Sequence, residues 1–138
     1  MTWIDFSIRM LVAFILGAGI GIERQWLKNR SVLKTNVLVS LGAAMFVMMA
    51  AMTPGDASPT RVAAQVVSGV GFLGAGEIMH ESQPQKGKLR VRGLTSAAAI
   101  WISAALGMSA GCGLWQLGLI AGGLSLTTLR IVKQFERS

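Results

Sequence analysis

Five apolar stretches, at approximately 5–23, 35–53, 60–79, 94–111 and 113–131, occupy most of this chain. Each is close to the roughly 20 residues a helix needs to cross about 30 Å of hydrocarbon. That repetition predicts an all-α polytopic membrane helical bundle of about five transmembrane helices, forming one domain over residues 1–138. Of the residues, 52% are hydrophobic and 14% charged, too little polar surface to wrap a soluble globule. The first stretch is read as a retained helix, because Asp5 precedes the apolar run and no small-residue cleavage site leads into a soluble domain. The last two stretches are joined only by Gly111, Cys112 and Gly113, so the join is a tight turn or one long bent helix.

The net charge of +7 would fit a nucleic-acid-binding surface if the basic residues formed a stripe on a soluble fold. Instead Arg24, Lys28, Arg30 and Lys34 share one gap, Lys86, Lys88, Arg90 and Arg92 another, and Arg130, Lys133 and Arg137 the tail. These segments hold 11 of the 13 basic residues, while the turn with Pro54, Gly55, Asp56 and Pro59 holds none. Positive loops face the cytoplasm, which predicts the N-terminus outside, the C-terminus cytoplasmic and no nucleic-acid partner.

Glycines recur inside the apolar runs. Gly17 and Gly21, Gly107 and Gly111, and Gly118 and Gly122 are each four apart, a spacing that lets membrane helices approach closely. Gly69, Gly71, Gly74 and Gly76 add a third-helix cluster, so a tightly packed bundle is expected rather than a wide pore. The run from Gly69 to Gly74 also matches the G-x-G-x-x-G nucleotide fingerprint, but it continues apolar through Met79 and no acidic residue follows at about twenty positions on. Helix packing is the better reading.

Ionisable groups within membrane helices are costly, so each is a candidate functional group. Glu23 and Arg24 close the first helix, as an interfacial ion pair or as a lock on another helix. Arg9 can snorkel outward, with Asp5 four residues before it. Arg61 and Gln65 share a face of the third helix, where an amide in lipid needs partners from other helices. Glu77, His80 and Glu81 are weak candidates for a divalent cation, since solvation at the interface explains them and no midplane carboxylate cluster offers magnesium its oxygen ligands. The second basic gap could bind anionic lipid or an acidic partner surface. Trp3, Trp26 and Trp115 fit interfacial anchors, and Trp101 is expected to pack within the bundle. The lone cysteine, Cys112, excludes an internal disulfide and is read as a small packing residue. No serine is framed by a membrane-embedded histidine and acid, and the only histidine is His80, so neither an enzyme nor a cofactor is expected.

Three stretches together resemble the membrane domain of the MgtC/SapB family. They are Gly21 to Gln25 (GIERQ), Arg61 to Gly76 (RVAAQVVSGVGFLGAG) and Val91 to Trp101 (VRGLTSAAAIW). The resemblance runs over nearly the whole chain and implies a bacterial inner-membrane protein linked to magnesium limitation, acid stress, intracellular survival and virulence. It implies a regulator, acting in some members by inhibiting the proton-translocating ATP synthase, with transport of magnesium or another cation as the alternative. Longer family members carry a cytosolic C-terminal domain, whereas this chain stops at Ser138. Lys34-Thr35 stands where an arginine-threonine pair is usual, Ser58 where an acid is expected, and Glu77 where a small or apolar residue is usual. Carried over individually, the motif residues Glu23, Arg24, Gln25, Arg61, Gln65, Arg92 and Thr95 are expected to form an interhelical and interfacial polar network.

A regulator would dock by its helices and basic loops on another membrane complex, whereas a transporter needs a hydrated path with polar groups near the midplane. For the latter the sequence offers Gln65, Ser68 and Ser103. Self-association, with a dimer favoured, would cover the glycine faces.

Overall fold

The computed structural model describes residues 2–28, 32–55, 58–85, 88–90 and 93–132. In chain order it contains α1 (Trp3–Lys28), α2 (Val32–Met52), α3 (Pro59–Glu81), β1 (Gln83–Gln85), β2 (Lys88–Arg90), α4 (Leu94–Gly111) and α5 (Trp115–Thr127). The helical turn after α5, Thr128–Val132, winds as π-helix.

Among the described residues, four helices are long and apolar enough to cross a membrane: Trp3–Gln25 within α1, all of α2, Pro59–His80 within α3, and α4. The fifth expected span is shorter than the sequence suggests, with 13 α-helical residues. It gains length only through the 5-residue π segment. The hydroxyls of Thr127 and Thr128, where the pitch changes, donate to the carbonyls of Gly123 and Leu124 at 2.8 Å each.

Local chemistry sets the helix ends. Ser58 is extended and Pro59 opens α3, where its missing N–H leaves no bond unmade. Between α3 and α4 the basic segment carries an antiparallel pair, Gln83 opposite Arg90 and Gln85 opposite Lys88. Pro84 cannot continue α3, and its extended neighbours supply the strand. The join after α4 is a tight turn and not a bent helix: Gly113 adopts φ +78°, its N–H donates to Ala110 O at 3.0 Å, and Leu114 N–H reaches Ser109 O at 2.8 Å. These are the two bonds of a Schellman stop, which requires the left-handed residue that glycine supplies.

Helices α1, α2 and α4 form the centre. Helices α1 and α2 are antiparallel, and so are α1 and α4, since Arg9 meets Gly111 at one end and Arg24 meets Ser96 at the other. Helix α2 runs parallel to α4 at a constant sequence offset: Asn36 meets Ser103, Ser40 meets Gly107 and Ala44 meets Gly111. Helix α3 lies against α4 at Gly74 and Ala97 and joins a cluster of Ala43, Val70, Ile100 and Ala104. Helix α5 sets Gly118 and Gly122 over Leu16 and Leu106.

The outer surface is apolar, as lipid requires, with Phe14, Met49, Phe72, Ile120 and Leu124 all about half-exposed or more. Trp101 is also outside, 55% exposed, which corrects its expected place in the bundle. The buried stripe of α4 runs through Ser96, Ala99, Ile100, Ser103, Ala104 and Gly107, and Trp101 falls off it. Cys112, expected to pack, is exposed on the α4–α5 turn.

Candidate functional site

A polar seam runs through the contact of α1, α2 and α4. Arg24, Asn36, Ser40, Ser96 and Ser103 are all at most 5% exposed. In a lipid-facing bundle such groups must find partners within the protein. Arg24 Nη2 donates to Ser96 Oγ at 2.9 Å. Asn36 uses both ends of its amide: Nδ2 donates to Val32 O at 2.9 Å, and Oδ1 accepts from Ser103 Oγ at 2.6 Å. Ser40 Oγ donates across to Ala13 O at 2.7 Å. Three helices are thereby tied by side chains at three depths.

Glycines make these bonds reachable. A methyl added at Gly17 would sit 2.7 Å from Ser40 Cβ and 2.9 Å from Asn36 O. At Gly21 it would meet Leu33 Cα at 2.9 Å, at Gly111 the Ala44 carbonyl oxygen at 2.6 Å, and at Gly107 it would overlap the Ser40 carbonyl. The short hydroxyl and amide side chains span only a few ångströms, so their bonds exist because the backbones touch.

Around the end of the bundle where α1 stops and α2 and α4 begin, a second layer forms. Gln25 Oε1 accepts from Leu33 N–H at 3.3 Å, occupying a donor in the first turn of α2. Glu23 accepts from Arg130 Nε at 2.9 Å, joining α1 to the π turn after α5. At the opposite end Arg9 Nη1 donates to Gly111 O at 2.7 Å, so this arginine clasps the α4–α5 turn.

The motif residues therefore divide. Glu23, Arg24 and Gln25 gather at one end, each bonded to a different element. Thr95 is near them on the first turn of α4 but points outward, and its neighbour Ser96 makes the buried contact. Arg61 and Gln65 lie far from this cluster, both exposed, on a cleft between α2 and α3. Among the described residues neither has a hydrogen-bond partner, so the single network expected from the sequence is two separate sites. Arg92 lies outside the described residues.

The glycines divide too. Gly17, Gly21 and Gly74 touch a neighbouring helix, whereas a methyl at Gly69, Gly71 or Gly76 would meet nothing within 4 Å. Three of the four third-helix glycines thus face outward or into the cleft. Glu77 is half-buried and His80 exposed, and no three metal-ligating side chains come together among the described residues. The side chain of Glu81 lies outside them.

Sequence reading missed the pairing role of Asn36, Ser40 and Ser96. Their signal was available as polar residues within apolar runs, with Asn36 and Ser40 four apart on one helical face.

The sequence profile of the MgtC family matches residues 10–138. The chain belongs to the MgtC family. Protein MgtC of Brucella abortus is 53% identical over 109 residues, covering 79% of this chain and 43% of that protein. Protein MgtC of Salmonella typhimurium strain LT2 is 46% identical over 121 residues, covering 88% of this chain and 49% of that one. Protein SrpB of Synechococcus elongatus is 45% identical over 143 aligned positions, covering 98% and 79%. The chain thus spans less than half the length of the MgtC proteins it matches. No solved structure matches it.

Proposed function

We propose that this protein is a regulator of the bacterial inner membrane that docks through α3 onto another membrane complex, the proton-translocating ATP synthase being the first candidate. On this reading it acts under magnesium limitation, acid stress or intracellular survival, with the basic loops cytoplasmic. The observation that carries the reading is the contrast between α3 and the core. Ser40, Asn36 and Ser103 bond one another and their neighbours across backbones in contact, so the polar groups nearest mid-bundle serve to lock helices. On α3, by contrast, only Val70 and Gly74 are buried among the described side chains. Ala64, Ser68, Gly71 and Ala75 lie open on one face, a small-residue surface of the kind membrane helices use to meet a partner.

The test is ATP-driven proton pumping in inverted membrane vesicles with and without the protein, at high and low magnesium. Wild-type protein should lower pumping, and Gly71→Leu, which adds bulk where nothing lies within 4 Å, should abolish the effect at equal membrane abundance. Unchanged pumping with wild-type protein, together with magnesium flux in liposomes containing this protein alone, would reject the regulator and favour cation transport.

A further inference from the structure

The cleft between α2 and α3 is a concave, almost wholly apolar groove with Arg61 at one end. It encloses about 620 Å³, within the roughly 300–1,000 Å³ of ordinary ligand sites. Leu38, Gly42 and Phe46 of α2 face Gly69 and Leu73 of α3 across it, and Arg61 and Gln65 lie along the same side of α3. Nothing lies within 4 Å of a methyl added to Gly42 or Gly69, so the groove is widest where side chains are missing. From Arg61 to Leu73 the helix rises about 18 Å, close to the depth of one leaflet of a hydrocarbon core roughly 30 Å thick.

We propose that this cleft is a binding site for one anionic phospholipid of the leaflet on the α2–α3 turn side. One acyl chain lies along the glycine-widened groove, the phosphate meets the Arg61 guanidinium, and the Gln65 amide, one turn deeper, donates to an ester carbonyl. Charge selects this occupant. Among the described residues, Arg61 is the only charged one lining the cleft, and no carboxylate among them answers it. A second copy seated on the cleft about a twofold axis along the membrane normal would bring two Arg61 side chains to the same depth, like charge against like. A zwitterionic lipid fills the groove but carries its own cation into the neighbourhood of Arg61. The inference requires only that the bundle sits in a membrane, and it stands or falls separately from the docking of α3 on a partner complex.

The experiment is native mass spectrometry of the protein released from nanodiscs of equimolar phosphatidylglycerol and phosphatidylcholine. Wild-type protein should retain one phosphatidylglycerol in preference to phosphatidylcholine. Arg61→Gln should lower that preference about fivefold, the effect of one cation on an anionic lipid surface, while lipid of either class is still retained. Gly69→Leu should fill the groove and lose retained lipid altogether, with helical content checked by circular dichroism. Arg130→Gln, a cation removed at the other end of the bundle, should leave the preference intact. Equal retention of both lipids by wild-type protein, or an unchanged preference in Arg61→Gln, would overturn the proposal. So would efficient disulfide formation between Gly69→Cys copies in a Cys112→Ala background, because it would put a second chain in the cleft.

Discussion

Replacing Gly107 by alanine tests the central claim that backbone contact between α2 and α4 holds the seam together. The added methyl would overlap the Ser40 carbonyl oxygen and lie 2.7 Å from its carbon and 2.8 Å from Ser40 Cα. Ordinary contact begins at 3.4 Å, so the carbonyl carbon alone requires the two helices to part by about 0.7 Å, and the nearer oxygen requires more. No flexible side chain can absorb this, because all three atoms belong to the α2 backbone. Overpacking of a rigid contact costs about 1–3 kcal/mol. The Ser103–Asn36 bond, 2.6 Å long and one turn away on the same pair of helices, would stretch with it, and interhelical hydrogen bonds in membranes contribute about 0.6 kcal/mol on average. The expected loss is therefore about 2–4 kcal/mol. Gly71→Ala is the control: nothing lies within 4 Å of the new methyl, and alanine raises helix propensity, so the change should lie between zero and about 1 kcal/mol of stabilisation. Unfolding in mixed micelles by sodium dodecyl sulfate, followed by tryptophan fluorescence and far-ultraviolet circular dichroism, measures both. Equal effects of the two substitutions would refute the argument, since helix propensity alone treats them alike.

Ser103→Ala should destabilise by about 0.6–1.7 kcal/mol in the same titration, because both Ser103 and Asn36 are fully buried and Asn36 Oδ1 loses its donor. Glu23→Gln should cost less than about 1 kcal/mol, and less still at high salt, since Arg130 is 64% exposed where it meets Glu23. Gly113→Ala should cost about 1–2 kcal/mol for the left-handed backbone alone, and its methyl would stand 2.9 Å from Arg9 Nη2. Thermal unfolding in detergent of Gly113→Ala with and without Arg9→Gln separates the two contributions, and additive losses would show that Arg9 does not crowd the turn.

Much of the architecture was legible because membrane insertion writes itself as hydropathy. The centres of α1 to α4 and their order follow from run length alone, and the glycine pairs Gly17 with Gly21 and Gly107 with Gly111 are legible as contact surfaces. Which surface meets which is not. Asn36 finds Ser103 across 67 residues of sequence, and no local pattern distinguishes that pairing from Asn36 with Ser96. Gly69 and Gly71 lie inside an apolar run as Gly107 does, yet a methyl added to either meets nothing within 4 Å, because sequence records that a helix can be approached and not that it is. The split between the Arg24 cluster and Arg61 has the same origin: a family motif groups residues by what they share in sequence, while the bundle separates its ends. Trp101 was misplaced because hydrophobicity in lipid no longer distinguishes inside from outside. The stripe of small residues on α4 was the better guide.

The constant offset between α2 and α4 bears on how the chain assembles during synthesis. Helices α1 and α2 can close on each other early, since Ser40 and Ala13 are 27 residues apart and both lie in the first two spans. Helix α3 then emerges with most of its surface unmatched, and the hairpin of β1 and β2 follows before the segment that completes the centre exists. Only when α4 enters does Gly107 reach Ser40 and Ser103 reach Asn36, and at that moment α3 acquires its contact through Gly74 and Ala97. Released chains truncated after Gly93 should therefore leave the Gly74 side of α3 open to lipid-phase cysteine labelling, and chains that include α4 should protect it. Helix α4 is thus the keystone, inserted fourth and bearing on each of the three spans set before it.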